Sequence, residues 1–290
     1  MSISNRAARI AKIQKVIKKH FQPVTPPADR SVLEHLLYAC CLENAPFEKA
    51  DEAFARLQQT YFDWNETRVT TIAELSEIMS ALPDPGAAAT RLKRSLQSVF
   101  EMHYSFDLEF LRKQNIGKSV KKLEKYAGVT PFVIAYVTQS ALGGHAIPID
   151  DGVLGVLLVL DVISDAEAAK YHVPGMERAI PKTKGIEFAS LLHQLGAEFF
   201  AAPQSPKLRG ILLEIDPNCK SKLPKRGGKH SAAKNSVDPD ATSSGASEPS
   251  TSKKETDHSE AQEADGAKKQ AAASTKKKSS TKRLTRKKPR

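Results

Sequence analysis

Apolar residues along the first two thirds of the chain recur every three or four positions, the period of an amphipathic helix rather than a strand. Ile10, Ile13, Val16 and Ile17 mark a helix over residues 4–20, with Arg6, Arg9, Lys12, Lys15, Lys18 and Lys19 around them. This pattern suits an amphipathic helix with solvated lysines better than a dedicated nucleic-acid arm. Pro23, Pro26 and Pro27 interrupt it. Val32, Leu33, Leu36, Leu37, Ala39 and Cys40 predict a second helix over 31–43, and the same spacing predicts a third over 47–61. Thr71 caps a helix through 82, Pro83-Asp84-Pro85-Gly86 is a turn, and Leu92, Leu96, Val99 and Phe100 share one face of a helix over 87–103. A short helical segment over 108–114 follows, and the last apolar helices fall at 185–201 and 206–213.

Between these lies the stretch YAGVTPFVIAYVTQSALGGHAIPID, residues 126–150. A basic helix precedes it, with Lys118, Lys121, Lys122 and Lys125 outward and Val120 and Leu123 inward. It ends at Gly128, Val129 bridges, and Thr130-Pro131 start the next helix as N-cap and first helical residue. That helix carries Phe132, Val133, Ala135, Tyr136, Val137 and Ala141 and closes at Gly143-Gly144. Ile147-Pro148-Ile149 then leads into Asp150-Asp151, set before the most apolar helix, 153–163. A hairpin of this kind binds a phosphate when backbone N–H groups and the positive end of the second helix converge on one oxygen; it can equally be a plain connection. An acid before a helix caps it. In a dry cleft beside a sugar the same acid stabilises the positive charge that builds up as an N-glycosidic bond breaks.

The order helix, glycine hairpin, helix and acid resembles the helix-hairpin-helix glycosylases of the endonuclease III superfamily. Against that family's Leu-Pro-Gly-Val-Gly-Arg-Lys-Thr-Ala and later Val-Asp, this sequence runs without a gap. Gly128 and Val129 match, Thr130 replaces the second glycine, Phe132 stands at the lyase lysine, and Asp150 matches the acid. The resemblance implies an all-α, two-lobed helix-hairpin-helix glycosylase-like fold. Residues 28–173 would form the core, 1–27 and 174–217 the second lobe, and 218–290 a disordered Lys-rich tail. The cleft would hold a double-stranded DNA phosphate backbone at Gly128, Val129 and Thr130, flanked by Lys118, Lys122 and Lys125. Asp150, with Asp151 as the alternative, would face a nucleotide flipped from the stack.

Departures from the pattern narrow the expected chemistry. A phenyl ring at 132 cannot form the Schiff base of a lyase, so the chain is expected to be at most a monofunctional DNA N-glycosylase and not an AP lyase. After the last core helices only Cys219 remains, where many relatives hold an iron–sulfur cluster with four cysteines. No iron–sulfur cluster, other cofactor or metal is expected. Cys40-Cys41 stand near the place where relatives carry a glutamine that wedges into the duplex, and they read as core residues. Ile116-Gly117-Lys118-Ser119 fails as a phosphate loop, because Arg112 occupies the position that needs glycine.

Composition adds a second theme. Of 44 Lys+Arg and 33 Asp+Glu, 18 and 8 lie in 221–290, leaving 26 against 25 before them, so the tail carries nearly all of the net charge of +11. A segment so polar and without aromatics is expected to be disordered. Lys276, Lys277, Lys278, Arg283 and Arg286 form its densest cluster, suited to nonspecific phosphate contact, to solubilisation or to localisation. The tail resembles those of linker-histone-like proteins, which gives the alternative function of a non-catalytic chromosome-binding or scaffolding protein. Three scattered cysteines and an apolar run too short for a membrane span point to a soluble, intracellular, DNA-associated protein.

Overall fold

The computed structural model describes residues 3–224, and among these every regular element is helical. The chain runs through α1 (Ile3–His20), α2 (Val32–Leu42), α3 (Phe47–Thr60), α4 (Trp64–Val69), α5 (Ile72–Ile78) and α6 (Pro85–His103). It continues through α7 (Ile116–Leu123), α8 (Pro131–Ser140), α9 (Asp151–Val159), α10 (Asp165–Ala168), α11 (Met176–Ala179), α12 (Gly185–Ala201) and α13 (Pro206–Ile215). The all-α expectation holds.

Most starts follow local capping rules. Ser31 and Thr71 each close a reciprocal capping box with the glutamate three residues on, and Asp84 caps α6 with Pro85 at its first position. The segment expected over 108–114 is a single 3₁₀ turn, Glu109–Leu111. The short helix α4 was not legible as apolar periodicity, since only its Thr67 is buried.

Two apolar cores result. One draws on α2 to α8, from Val32 to Val137. The other combines α1 with everything from Ile147 to Leu223. Residues 147–173, expected in the core lobe, therefore pack in the second core. The reason is visible where α9 crosses α12. A Cβ at Gly152 would overlap the Gly196 carbonyl, and one at Gly196 would lie 2.7 Å from the backbone nitrogen of Val153. The two helices approach so closely only because both positions are glycine.

α1 is also a core helix. Ile10, Ile13 and Ile17 are buried, while Arg6 donates through Nε to the Val162 carbonyl (2.8 Å) and through Nη2 to both Glu167 oxygens (2.8 and 3.0 Å). Residues 218–223, expected in the tail, belong to the fold. Pro217–Ser221 forms a 3₁₀ turn, and Cys219 and Leu223 are buried in the second core. Lys276, Lys277, Lys278, Arg283 and Arg286 lie outside the described residues. Among the described residues no helix is long and apolar enough to cross a membrane.

Candidate functional site

The hairpin forms as expected. α7 ends at Leu123 and Thr130 caps α8, its Oγ1 accepting from the Val133 N–H at 3.2 Å. Gly128 has φ +88°, and a Cβ there would sit 2.7 Å from the Arg91 carbonyl of α6. Gly128 is thus needed twice, for its backbone angle and for seating the turn against α6. The Ala127 N–H donates to Ser98 Oγ (3.0 Å), and the Val129 N–H to the Tyr126 carbonyl (3.3 Å). Among the described residues nothing accepts from the N–H groups of Gly128, Thr130 or Phe132. These donors sit at the start of an α-helix, the arrangement that takes an anion.

Lys118 and Lys125 are exposed, whereas Lys122 is half-buried, its Nζ lying 4.6 Å from the centre of the Phe110 ring. Lys121 and Lys122 follow Lys118 by three and four residues, which places these three on one side of α7, and Lys125 stands in the turn just past the helix end. Leu123 is buried beneath them and Val120 partly so.

Asp150 caps α9, its Oδ1 accepting from the Val153 N–H at 2.9 Å. It is fully buried, at 0% exposure. Its Oδ2 accepts from the Asn44 N–H (3.3 Å) and lies 3.1 Å from Nδ1 of His193 on α12, an ion-pair distance off the axis of a good hydrogen bond. The Nε2 of His193 is 2.8 Å from the Ala45 carbonyl, to which it can only donate. Asp151 is the exposed acid of the two. Its Oδ2 accepts from Asn44 Nδ2 (3.0 Å) and its Oδ1 from the hydroxyl of Tyr171. Burial and this bond to Asp151 push the Tyr171 hydroxyl well above its ordinary range.

Apolar spacing does not mark the turn that joins these parts. Glu43, Asn44 and Ala45, between α2 and α3, each bind a different piece of the site. Glu43 Oε2 accepts from Thr130 Oγ1 (2.9 Å) and lies 3.1 Å from Nε of Arg91. Burial raises the Glu43 carboxyl above the usual range; Arg91 and the Thr130 hydroxyl oppose that, while Asp150 and Asp151 add to it. Asn44 reaches Asp150, Asp151 and Gly152, and Ala45 receives His193. The one local signal was Asn44 itself, an asparagine just past a helix end, where it adopts φ +64°.

Phe132 is 1% exposed and packs 5.6 Å from the His193 ring, which also meets Phe47 at 5.0 Å. Beside them a cavity of about 20 Å³ is lined by Phe132, Tyr136, Ser140 and His193 among others. That volume holds roughly one water and no nucleobase. Cys40 and Cys41 are buried in the first core, with burial pushing the Cys40 thiol up to about 12 and Cys41 higher still, so neither is a ready nucleophile. No group of three or more metal-ligating side chains occurs among the described residues.

No protein-family model and no curated protein sequence matches the chain. Solved structures do. A trapped endonuclease III–DNA covalent intermediate superposes with a TM-score of 0.53 at 16% identity, covering 77% of this chain and 100% of that one. The chain has the endonuclease III fold. A thermostable thymine-DNA glycosylase (TM-score 0.45, 16% identity, 70% of this chain and 89% of that one) superposes less closely. So does a Clostridium acetobutylicum 8-oxoguanine glycosylase/lyase with DNA (0.46, 15%, 67% and 69%). On the endonuclease III fold recognised here, the hairpin and the N-terminus of α9 are joined through residues 43–45 into one bonded network.

Proposed function

We propose that the chain is a duplex-DNA-binding protein built on the endonuclease III fold, with no lyase chemistry and at most monofunctional DNA N-glycosylase activity through Asp150. The observation that carries this reading is the bonded path from the hairpin to the acid: Thr130 to Glu43, and Asn44 to Asp150. A strand phosphate held by the N–H groups of Gly128, Thr130 and Phe132 and flanked by Lys118, Lys122 and Lys125 would run past the start of α9. Val129 shapes the turn without offering a donor, because its N–H is already bonded. In excision the bond from C1′ to the base nitrogen breaks with its electrons leaving on the base. A carboxylate at the sugar stabilises the cation until water adds to C1′, and the proton that water loses ends on the departed base. Phe132 offers no amine, so no Schiff base and no strand elimination follow.

The test is excision from a panel of duplexes carrying damaged bases, compared with Asp150→Asn and with an alkaline step that reveals abasic sites. Base release without strand nicking, abolished by the substitution, supports the reading. Excision that survives Asp150→Asn assigns the wrong acid.

A second reading, a non-catalytic chromosome-binding or scaffolding protein, is favoured by the full burial of Asp150 and by the small volume beside Phe132. In that reading Lys276, Lys277, Lys278, Arg283 and Arg286 supply affinity. Because Cys219 and Leu223 belong to the second core, the tail is tested by truncation after residue 224. A large loss of duplex binding at moderate salt, with no excision on any substrate, supports it.

A further inference from the structure

We propose that Asn44 is a positioning residue that aims the carboxylates at the start of α9 and, with Glu43, ties them to the hairpin. This rests on the glycosylase-type reading above. Asn44 stands in the turn between two helices of the first core yet makes three bonds to three consecutive residues at the start of α9, which packs in the second. Its N–H donates to Asp150 Oδ2 at 3.3 Å, its Nδ2 to Asp151 Oδ2 at 3.0 Å, and its Oδ1 accepts from the Gly152 N–H at 3.3 Å. The left-handed backbone, φ +64°, lets the N–H and the side chain face α9 together. Ending α2 would not require the amide, since glycine serves best in that conformation.

The residue before it completes the link. Glu43 accepts from the hydroxyl of Thr130, which also caps α8 at the phosphate-binding end of the hairpin. Residues 43 and 44 are therefore one peptide unit bonded on one side to the strand-binding turn and on the other to both acids. Asp150 is buried, so its orientation is set wholly by such contacts. Asp151 is exposed, and Asn44 and Tyr171 hold its two oxygens from different segments.

The experiment uses the full chain and two duplexes, one with a cationic pyrrolidine abasic-site analogue and one with the neutral tetrahydrofuran analogue. A carboxylate held beside the sugar favours the cation, so the ratio of the two affinities reads its placement without requiring turnover. Asn44→Gly keeps the left-handed backbone and the N–H to Asp150 but removes the amide. The expected result is a loss of the pyrrolidine preference by roughly tenfold, the scale of a charge-assisted hydrogen bond, with affinity for the neutral duplex and the melting temperature kept. Asn44→Ala, which also strains the backbone, should lose the same preference at a lower melting temperature. Full preference in Asn44→Gly overturns the proposal, and so does equal weakening on both duplexes, the mark of a merely structural residue. A wild-type protein that binds both duplexes without preference overturns the glycosylase-type reading with it, whereas a preference indifferent to Asn44 overturns the positioning role alone.

Discussion

The starts of α8 and α9 are built alike and sit in opposite surroundings. Thr130 and Asp150 both adopt an extended backbone and both accept from the N–H three residues on, at Val133 and Val153. At α8 the N–H groups of Thr130 and Phe132 find no acceptor among the described residues, and lysines flank the turn. At α9 the capping carboxylate is closed off by Asn44 and His193. The same cap therefore leaves one helix end open to an anion and, at the other, holds the capping carboxylate by contacts from distant segments. Local grammar decides that a helix starts; packing from distant segments decides whether that start can receive a ligand.

The largest expected effect comes from removing the closed cap. Asp150→Ala leaves α9 without its cap and the Asn44 N–H without its acceptor inside the fold, at a cost of about 3 kcal/mol. Thr130→Ala removes a half-buried cap and one bond to Glu43, costing about 1 kcal/mol. Urea titrations with unchanged slope measure both. Equal costs would show that the two helix ends are not so different after all.

That contrast also explains what the sequence disclosed. The hairpin, the cap at Thr130, the acid before α9 and most helix limits are local, written in Gly128, Thr130-Pro131 and Asp150 and in apolar spacing. The turn over residues 43–45 was not legible, because Glu43 finds Thr130 at a separation of 87 residues and Asn44 finds Asp150 at 106. The division of the cores was misplaced for a similar reason. Gly152 and Gly196 bring α9 against α12, and nothing near Gly152 in the chain announces its partner.

Glycine supplies the next comparison. Gly128 and Gly143 both have positive φ, +88° and +64°, but a Cβ at Gly143 meets nothing within 4 Å whereas one at Gly128 meets the α6 backbone. Gly143→Ala should cost about 1–2 kcal/mol for the left-handed angle alone. Gly128→Ala adds displacement of α6 and should cost on the order of 3 kcal/mol, with weaker duplex binding because the hairpin shifts. Similar melting temperatures for the two variants would mean that the turn is not seated on α6.

His35, buried on α2, gives the fold a pH dependence. Burial first, then Arg30 and Arg112, lowers His35 to about 4 from 6.5, and its Nδ1 finds no partner. A depressed histidine is favoured neutral in the fold, so its stability is whole above pH 6.5 and is lost as pH falls toward 4, by up to about 3 kcal/mol. His35→Leu should flatten that part of the profile. Thr130→Ala should leave it unchanged, which makes it a control for acid effects at the hairpin. An equally steep loss in His35→Leu would assign the acid sensitivity elsewhere.

The smallest effect on the fold, and the sharpest on the open end, comes from Lys118, Lys122 and Lys125. Changing all three to Gln touches no buried charge, so stability should move little; only Lys122 gives up a contact, over Phe110. If these ammonium groups meet phosphates beside the hairpin, each contact releases counterions, and the slope of log affinity against log salt should become shallower by about 0.9 per lysine. The matching change at the closed end, Asp151→Asn, should leave that slope alone, because an acid beside the sugar displaces no counterion from the strand. A salt slope unchanged by the triple substitution would take the DNA off α7 and leave the unpartnered N–H groups of the hairpin facing water.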